Sequence, residues 1–250
     1  AEETDAYDLQ GASVSASLSQ PFNEQFTLSA GTTLDATRST DYELRAQGED
    51  DYVEQVTLSF PLGATYNTVK APLDPQAGNR VSLGVEPGIS FGDGEASYTR
   101  ITSSASTYRK ISDRLVAAVR AEAGTFLGDE GVPVDRKFFA GGGGSVRGFE
   151  YQSLSPTDSD GNIIGGDAMF AASLELRWRK SERWGYVAFV DSGYAADSID
   201  EAFGEMRSSF GLGVRFYPGF GPVRFDIATP LDRRDGEDPV QIYVSIGQSF

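Results

Sequence analysis

The chain contains neither cysteine nor histidine. Without thiols there is no disulfide framework. Without imidazole or thiolate most zinc chemistry is closed, and a Ser-His-Asp triad cannot be assembled. There is no run of about 18 apolar residues, so no helix of this sequence can span a bilayer. Basic residues are scarce, 21 against 37 acidic, giving a net charge of −16. A surface of that sign does not neutralise nucleic-acid phosphates in bulk. The opening residues Ala1-Glu2-Glu3-Thr4-Asp5 carry no positive or apolar export-signal region. For an exported protein, that start is expected of a mature form or of a chain beginning inside a longer one.

What the sequence has in quantity is period-two alternation, from end to end. Val240, Ile242, Val244 and Ile246 fall on one face, with Gln241, Tyr243, Ser245 and Gly247 on the other, and Phe250 ends the chain on the apolar register. Val223, Phe225 and Ile227 alternate with Arg224, Asp226 and Ala228. Leu174, Leu176 and Trp178 alternate with Ser173, Glu175 and Arg177, and Leu115, Ala117, Val119 and Ala121 with Ala118, Arg120 and Glu122. A soluble sandwich has the same local pattern. Three features separate a membrane barrel from it. The polar face carries Gly, Ser, Arg and Glu at strand centres, which a wet lumen tolerates. Aromatics such as Trp178, Trp184, Tyr186, Phe216 and Tyr217 gather at strand ends, as interfacial girdles do. No convincing helix is present, and short connections (179–183, 218–222) contrast with long ones (within 128–166 and 195–206). Barrel strands need only about ten alternating residues, so a slightly negative mean hydropathy is compatible with a membrane.

The expected fold is therefore an all-β, transmembrane, antiparallel up-and-down barrel over residues 1–250. Eleven strands are expected, at 12–21, 25–35, 53–66, 80–91, 96–109, 115–126, 169–179, 185–193, 207–217, 222–229 and 240–250. Bacterial barrels carry an even number, so a twelfth is expected within 7–10 or 42–46. The acidic stretches 41–51 and 231–238 read as solvated loop tips.

One connection, 127–168, holds Phe138-Phe139-Ala140-Gly141-Gly142-Gly143-Gly144-Ser145-Val146-Arg147-Gly148-Phe149, with one Arg inside an uncharged, glycine-rich stretch. Two readings are open from spacing alone. The loop folds back into the lumen, with Arg147 anchored on carboxylates, or it is an exposed surface loop. Other motifs carry less. In Asp158-Ser159-Asp160-Gly161-Asn162, placing Gly161 at the glycine position of a calcium loop puts the first ligand on Pro156, which has no ligating side chain, so the segment reads as an Asp-Gly turn. Gly141–Gly148 lacks the Gly-Lys-Ser/Thr ending of a phosphate cradle. No metal or cofactor is expected. The pairs Arg120 with Glu122 and Arg177 with Glu175 read as lumen-facing charge ladders.

Several segments together resemble a known family. These are Ser145-Val146-Arg147-Gly148-Phe149; Gly165-Gly166 leading to Ser173-Leu174-Glu175-Leu176-Arg177; Phe189-Val190-Asp191-Ser192-Gly193; Gly211-Leu212-Gly213-Val214-Arg215-Phe216; and Gly221 to Leu231, followed by a strand ending at Phe250. In this order they resemble the C-terminal barrel of the bacterial outer-membrane assembly and translocation superfamily (the surface antigen family, with TamA and BamA as members). Arg136-Lys137-Phe138-Phe139-Ala140-Gly141-Gly142 is most similar to the TamA branch. The resemblance implies that Arg147 lies in the lumen, pairs with Asp191 and sits close to Phe189 and Glu175, with Val146, Gly148 and Phe149 completing the loop motif. It implies a seam bordered by the last strand, with Gly247 and Phe250 as its terminal signal. It further implies a non-enzymatic outer-membrane factor that inserts or translocates nascent outer-membrane proteins or autotransporters. Its partners are then outer-membrane lipid, and a periplasmic or inner-membrane protein. Family barrels have sixteen strands and precede them with POTRA domains. With eleven or twelve strands, the chain is expected to be either a piece of such a barrel, with the first strands and those domains outside this sequence, or a reduced barrel. The alternative of the same fold is a passive pore or polypeptide-secretion channel.

Overall fold

In a computed structural model, residues 2–3, 8–40, 52–128, 132–218 and 221–250 are described. The strands are β1 (Glu2–Glu3), β2 (Asp8–Pro21), β3 (Phe26–Thr40), β4 (Tyr52–Ser59), β5 (Leu62–Asn67), β6 (Gly78–Gly92) and β7 (Ala96–Ser112). They continue as β8 (Leu115–Gly128), β9 (Ala168–Arg179), β10 (Trp184–Ala196), β11 (Arg207–Phe216), β12 (Val223–Pro230) and β13 (Gln241–Ile246). All lie in one antiparallel sheet and, β4 and β5 apart, each pairs with its chain neighbours, which is the up-and-down order of a membrane β-barrel. Among the described residues no helix is long and apolar enough to cross a membrane.

β4 and β5 both pair with β3 and β6. They are one strand broken at Phe60-Pro61, because proline has no N–H for the ladder and is accepted inside a sheet only at such an irregularity. Among the described residues the sheet thus has twelve positions. The expected single strand at 53–66 is this broken pair. The twelfth position is the two-residue β1, while Leu9 and Gln10 belong to β2. Of the two segments expected to hold it, 42–46 lies outside the described residues. Among the described residues no ladder joins β13 to β1 or β2, so the sheet has two edges.

The burial pattern is inverted relative to a soluble sheet. Along β9, Leu174 and Leu176 are each 48% exposed, whereas Glu175 is fully buried and Ser173 and Arg177 nearly so. The same inversion runs through β11 and β12, where Phe210, Leu212, Phe225 and Ile227 are exposed and Arg215 and Asp226 are buried. An exposed apolar band of this extent is unstable in water and matches the hydrocarbon of a bilayer. The polar face turns inward, onto the connection between β8 and β9. There Phe138, Ala140, Val146, Phe149 and Leu154 pack with Ala171 and Ala195 of the wall.

Two expectations are corrected. The connection between β10 and β11 contains a short helix, α1 (Ile199–Gly204), where no helix was expected. Its start is local chemistry: the Ser198 hydroxyl accepts the Glu201 N–H, and Ser198-Ile199-Asp200-Glu201 has the spacing of a capping box. The last strand, expected over 240–250, ends at Ile246. Gly247 has φ +92°, a conformation that L side chains rarely adopt, and it breaks the alternation. The tail after it turns inward, so Phe250 is not on the apolar outer face. It packs at 6.1 Å from the Tyr108 ring, and Tyr108 is fully buried.

Candidate functional site

The long connection after β8 is organised from its ends inward. A single 3-10 turn, Val134–Arg136, starts the described part. Phe138 and Gly166 then exchange both main-chain hydrogen bonds at 2.9 Å, closing the base of the loop. Further along, Leu154 N–H donates to the Ala140 carbonyl at 2.9 Å, and the Ser155 hydroxyl accepts from Ala140 N–H. The Gly141 N–H donates to the Ser145 hydroxyl at 2.9 Å. These bonds satisfy the backbone of a buried, irregular segment, which would otherwise carry unpaired polar groups.

Its tip places Arg147, 2% exposed, among three carboxylates from three strands. Nε donates to Asp191 Oδ2 at 2.7 Å and Nη2 to Oδ1 at 3.0 Å, a bidentate fork from β10. Nη1 lies 2.8 Å from Glu175 Oε1 on β9 and 3.2 Å from Asp226 Oδ2 on β12. The guanidinium carbon stands 3.4 Å from the centroid of the Phe189 ring. That geometry combines charge-assisted hydrogen bonds with cation–π contact, which a lysine could not reproduce. The Ser173 hydroxyl donates to Asp191 Oδ1 at 2.5 Å, and the Arg147 main-chain N–H donates to Oδ2 at 3.1 Å.

The network extends beyond Arg147. Arg177 Nε pairs with Glu175 at 2.7 Å and Arg215 with Asp226 at 2.5 Å. A Ser209 hydroxyl on β11 donates to the Arg147 carbonyl. Tyr243 of the edge strand β13 accepts from Gly148 N–H and donates to the Phe149 carbonyl, both at 2.9 Å. Gly148 has φ +98°, and a Cβ there would stand 2.7 Å from that of Ser209, so the turn at this point requires glycine. Val146 and Phe149 flank it in the buried apolar cluster.

The opposite end of the loop is held by a second arginine. Arg136 pairs with Asp35 of β3, and with Glu86 of β6 and its neighbour Asp135 at 3.4 Å each. Burial alone would lower its pKa, but Asp135, then Tyr98 and Asp35, outweigh that and raise it. Lys137 pairs with Asp167 at 2.9 Å. The loop is therefore clamped to β3 and β6 at one end and to β9–β13 at the other.

The inward-turned tail joins the same network. The Ser249 hydroxyl donates to Glu175 Oε1 at 2.5 Å, and Arg177 Nη2 donates to the Phe250 main-chain oxygen at 3.2 Å. Gln248 donates to Asp74 Oδ1 at 3.0 Å. The expected site residues thus fall into one region. Arg147, Asp191, Glu175, Phe189, Val146, Gly148 and Phe149 converge directly, and Phe250 reaches them through Arg177. Gly247 stands apart as the bend. Sequence reasoning missed Asp226, Ser173, Ser209, Tyr243 and Arg136. For Asp226 and Tyr243 a signal existed, since both are polar-face residues of strands in the same ladder, paired with each other across β12 and β13.

Among the described residues no group of three or more acidic side chains is placed to hold a metal. The Asp158 carboxylate is taken up by the N–H groups of Asp160 and Asn162 and by the Asn162 side-chain amide. These bonds lower its pKa, the Asn162 side chain first, and make the segment a turn.

The model of the Omp85 superfamily domain matches residues 1–250. The outer membrane protein assembly factor BamA of Nitratidesulfovibrio vulgaris is 36% identical over 152 residues, covering 57% of this chain and 19% of that protein. The chain thus spans about a fifth of the length of that curated relative. Among solved structures, BamA from Haemophilus ducreyi lacking POTRA domains 1–3 superposes with a TM-score of 0.78 at 19% identity, over 96% of this chain and 55% of that one. CdiB from Acinetobacter baumannii superposes with a TM-score of 0.61 at 15% identity, over 94% and 41%. At these identities the two structures speak for the fold alone.

Proposed function

Because the chain belongs to the Omp85 superfamily and its place is the outer membrane, we propose that it assembles or translocates other outer-membrane proteins without performing covalent chemistry. The observation that carries this reading is the buried network that ties the loop motif to β9, β10, β11 and β12, and through Tyr243 to the edge strand β13. An edge strand presents unpaired N–H and C=O groups, onto which an incoming strand can be added by β-augmentation. The loop fixes the position of that edge from inside, while the tail after Gly247 leaves the ladder and shortens it. Substrates of this mechanism are nascent outer-membrane proteins or autotransporters. A periplasmic or inner-membrane partner would deliver them. The similarity of the Arg136–Gly142 segment favours a TamA-like assignment, with autotransporters as the preferred cargo.

A passive pore or secretion channel is the other use of this fold. The clamped loop, which fills the space beside β9–β13, argues against it. The test is reconstitution of the chain in lipid vesicles with a urea-denatured outer-membrane protein, following its folding by gel mobility. Faster folding than in empty vesicles, with no porin-sized conductance in planar bilayers, is expected. A stable open channel without acceleration would replace assembly by conduction.

A further inference from the structure

The charge on the two rims is opposite. The connections at 93–95, 197–206 and 231–240, all on the long-loop side, hold ten acidic residues and two basic ones. On the short-turn side, the β7–β8 and β9–β10 hairpins are neighbours: Leu115 pairs with Trp178, and Arg179 N–H donates to the Arg114 carbonyl at 2.7 Å. Their ends bring together Arg109, Lys110, Arg114, Lys180 and Arg183, all exposed. Two acidic residues accompany them, Asp113, which holds Lys110 at 2.9 Å, and Glu182. A net positive patch in a chain of net charge −16 is a local arrangement against the overall sign.

Its setting identifies what it faces. Trp178, Trp184 and Tyr186 lie on the outer face directly beneath these turns, each between 39% and 47% exposed. Trp178 and Tyr186 pack together at 5.9 Å, and Trp184 packs on Phe216 at 5.0 Å. Ile111 projects at the same rim, 61% exposed. Exposed aromatics at the end of a lipid-facing band sit at headgroup depth. Cations just beyond them are therefore at the level of lipid phosphates. Short turns of such barrels face the periplasm. We propose that this rim is a binding surface for anionic phospholipid headgroups of the periplasmic leaflet, with the lysines and arginines on the phosphates and the tryptophans in the interfacial layer. The proposal rests on the membrane placement of the fold and not on the assembly activity.

The sequence supplies its own probe, because the chain has two tryptophans and both are at this rim. The full chain is reconstituted in phosphatidylcholine vesicles containing phosphatidylglycerol, with one or the other lipid carrying brominated acyl chains that quench tryptophan. Brominated phosphatidylglycerol is expected to quench more than brominated phosphatidylcholine at equal mole fraction. The preference should fall about fivefold for each cation neutralised, as in K180Q/R183Q, and should weaken as salt shortens the screening length. D235N/D238N, on the other rim, should leave it unchanged. If K180Q/R183Q does not fold, the salt titration of the unmodified chain gives the same reading. Equal quenching by both lipids, or a preference untouched by K180Q/R183Q and by salt, would overturn the proposal and leave the cations to an acidic protein partner.

Discussion

Replacing Arg147 by alanine tests the network at its centre. Four arginines (147, 177, 215 and 224) and three carboxylates share this buried region. Without Arg147, Glu175 keeps Arg177 and Asp226 keeps Arg215. Asp191, 1% exposed, keeps only neutral donors, the Ser173 hydroxyl and the main-chain N–H of residue 147. Removing one partner of a buried pair costs about 3–5 kcal/mol, because the other charge is left uncompensated. At about 1.4 kcal/mol per tenfold, opening of the loop should become about two to four orders of magnitude more frequent. The readout is hydrogen exchange of the segment 138–155 in detergent, with strand peptides as internal reference. The orphaned carboxylate explains the loss only if its removal restores part of it. R147A/D191N should therefore be more protected than R147A, with a coupling of about 1–3 kcal/mol between the two sites. R147K keeps the charge but loses the fork and the stack on Phe189, and should fall between R147A and the unmodified chain. Effects of R147A and D191N that simply add, or unchanged exchange in R147A, would refute the argument.

Two further perturbations test its periphery. Tyr243→Phe leaves Gly148 N–H and the Phe149 carbonyl without their shared partner. A cost of about 1–3 kcal/mol is expected, read as faster exchange at both the loop motif and β13, whereas a change confined to one of them would break the proposed link. Glu237 is hydrogen-bonded by Arg207 and by Arg234 N–H, and the Arg207 contact above all lowers its pKa. A carboxylate depressed in the folded state contributes stability above its ordinary range, near pH 4.3, and that contribution is lost as pH falls through the lowered value. Protection of 231–240 should thus decline in that acid window and lose this dependence in E237Q, which peptide-level exchange at pH 7 and below 4 can measure.

Alternation made the strands legible because the period is two whichever face is buried. It could not say which face that is. Gly, Ser, Arg and Glu at strand centres decided it, and the burial of Glu175 beside exposed Leu174 and Leu176 shows why: lipid, not a protein core, takes the apolar side. The contact of Arg147 with Asp191 came from family resemblance. Nothing in local spacing brings positions 147, 191 and 226 together, since they meet only when four strands and a loop close on one another. Arg136 was invisible for the same reason, as its strand partners Asp35 and Glu86 lie 101 and 50 positions away. Helix α1 was missed although Ser198 and Glu201 announce its start, because one turn has no hydrophobic periodicity to detect. The last strand was read too long because Phe250 keeps the apolar parity of Ile242 and Val244. Parity carries no information once Gly247 turns the chain inward.

The most direct test of the account is a cysteine placed on β13, which a chain without native cysteine permits. Gln241→Cys and Ser245→Cys in vesicles are presented with an arrested substrate barrel carrying single cysteines along its terminal strand. Disulfides that form at β13 in a fixed strand register, and are absent at Val119→Cys in the central strand β8, are what the account predicts. Equal crosslinking at β8, or none at β13 while insertion proceeds, would contradict the claim that this edge receives the incoming strand.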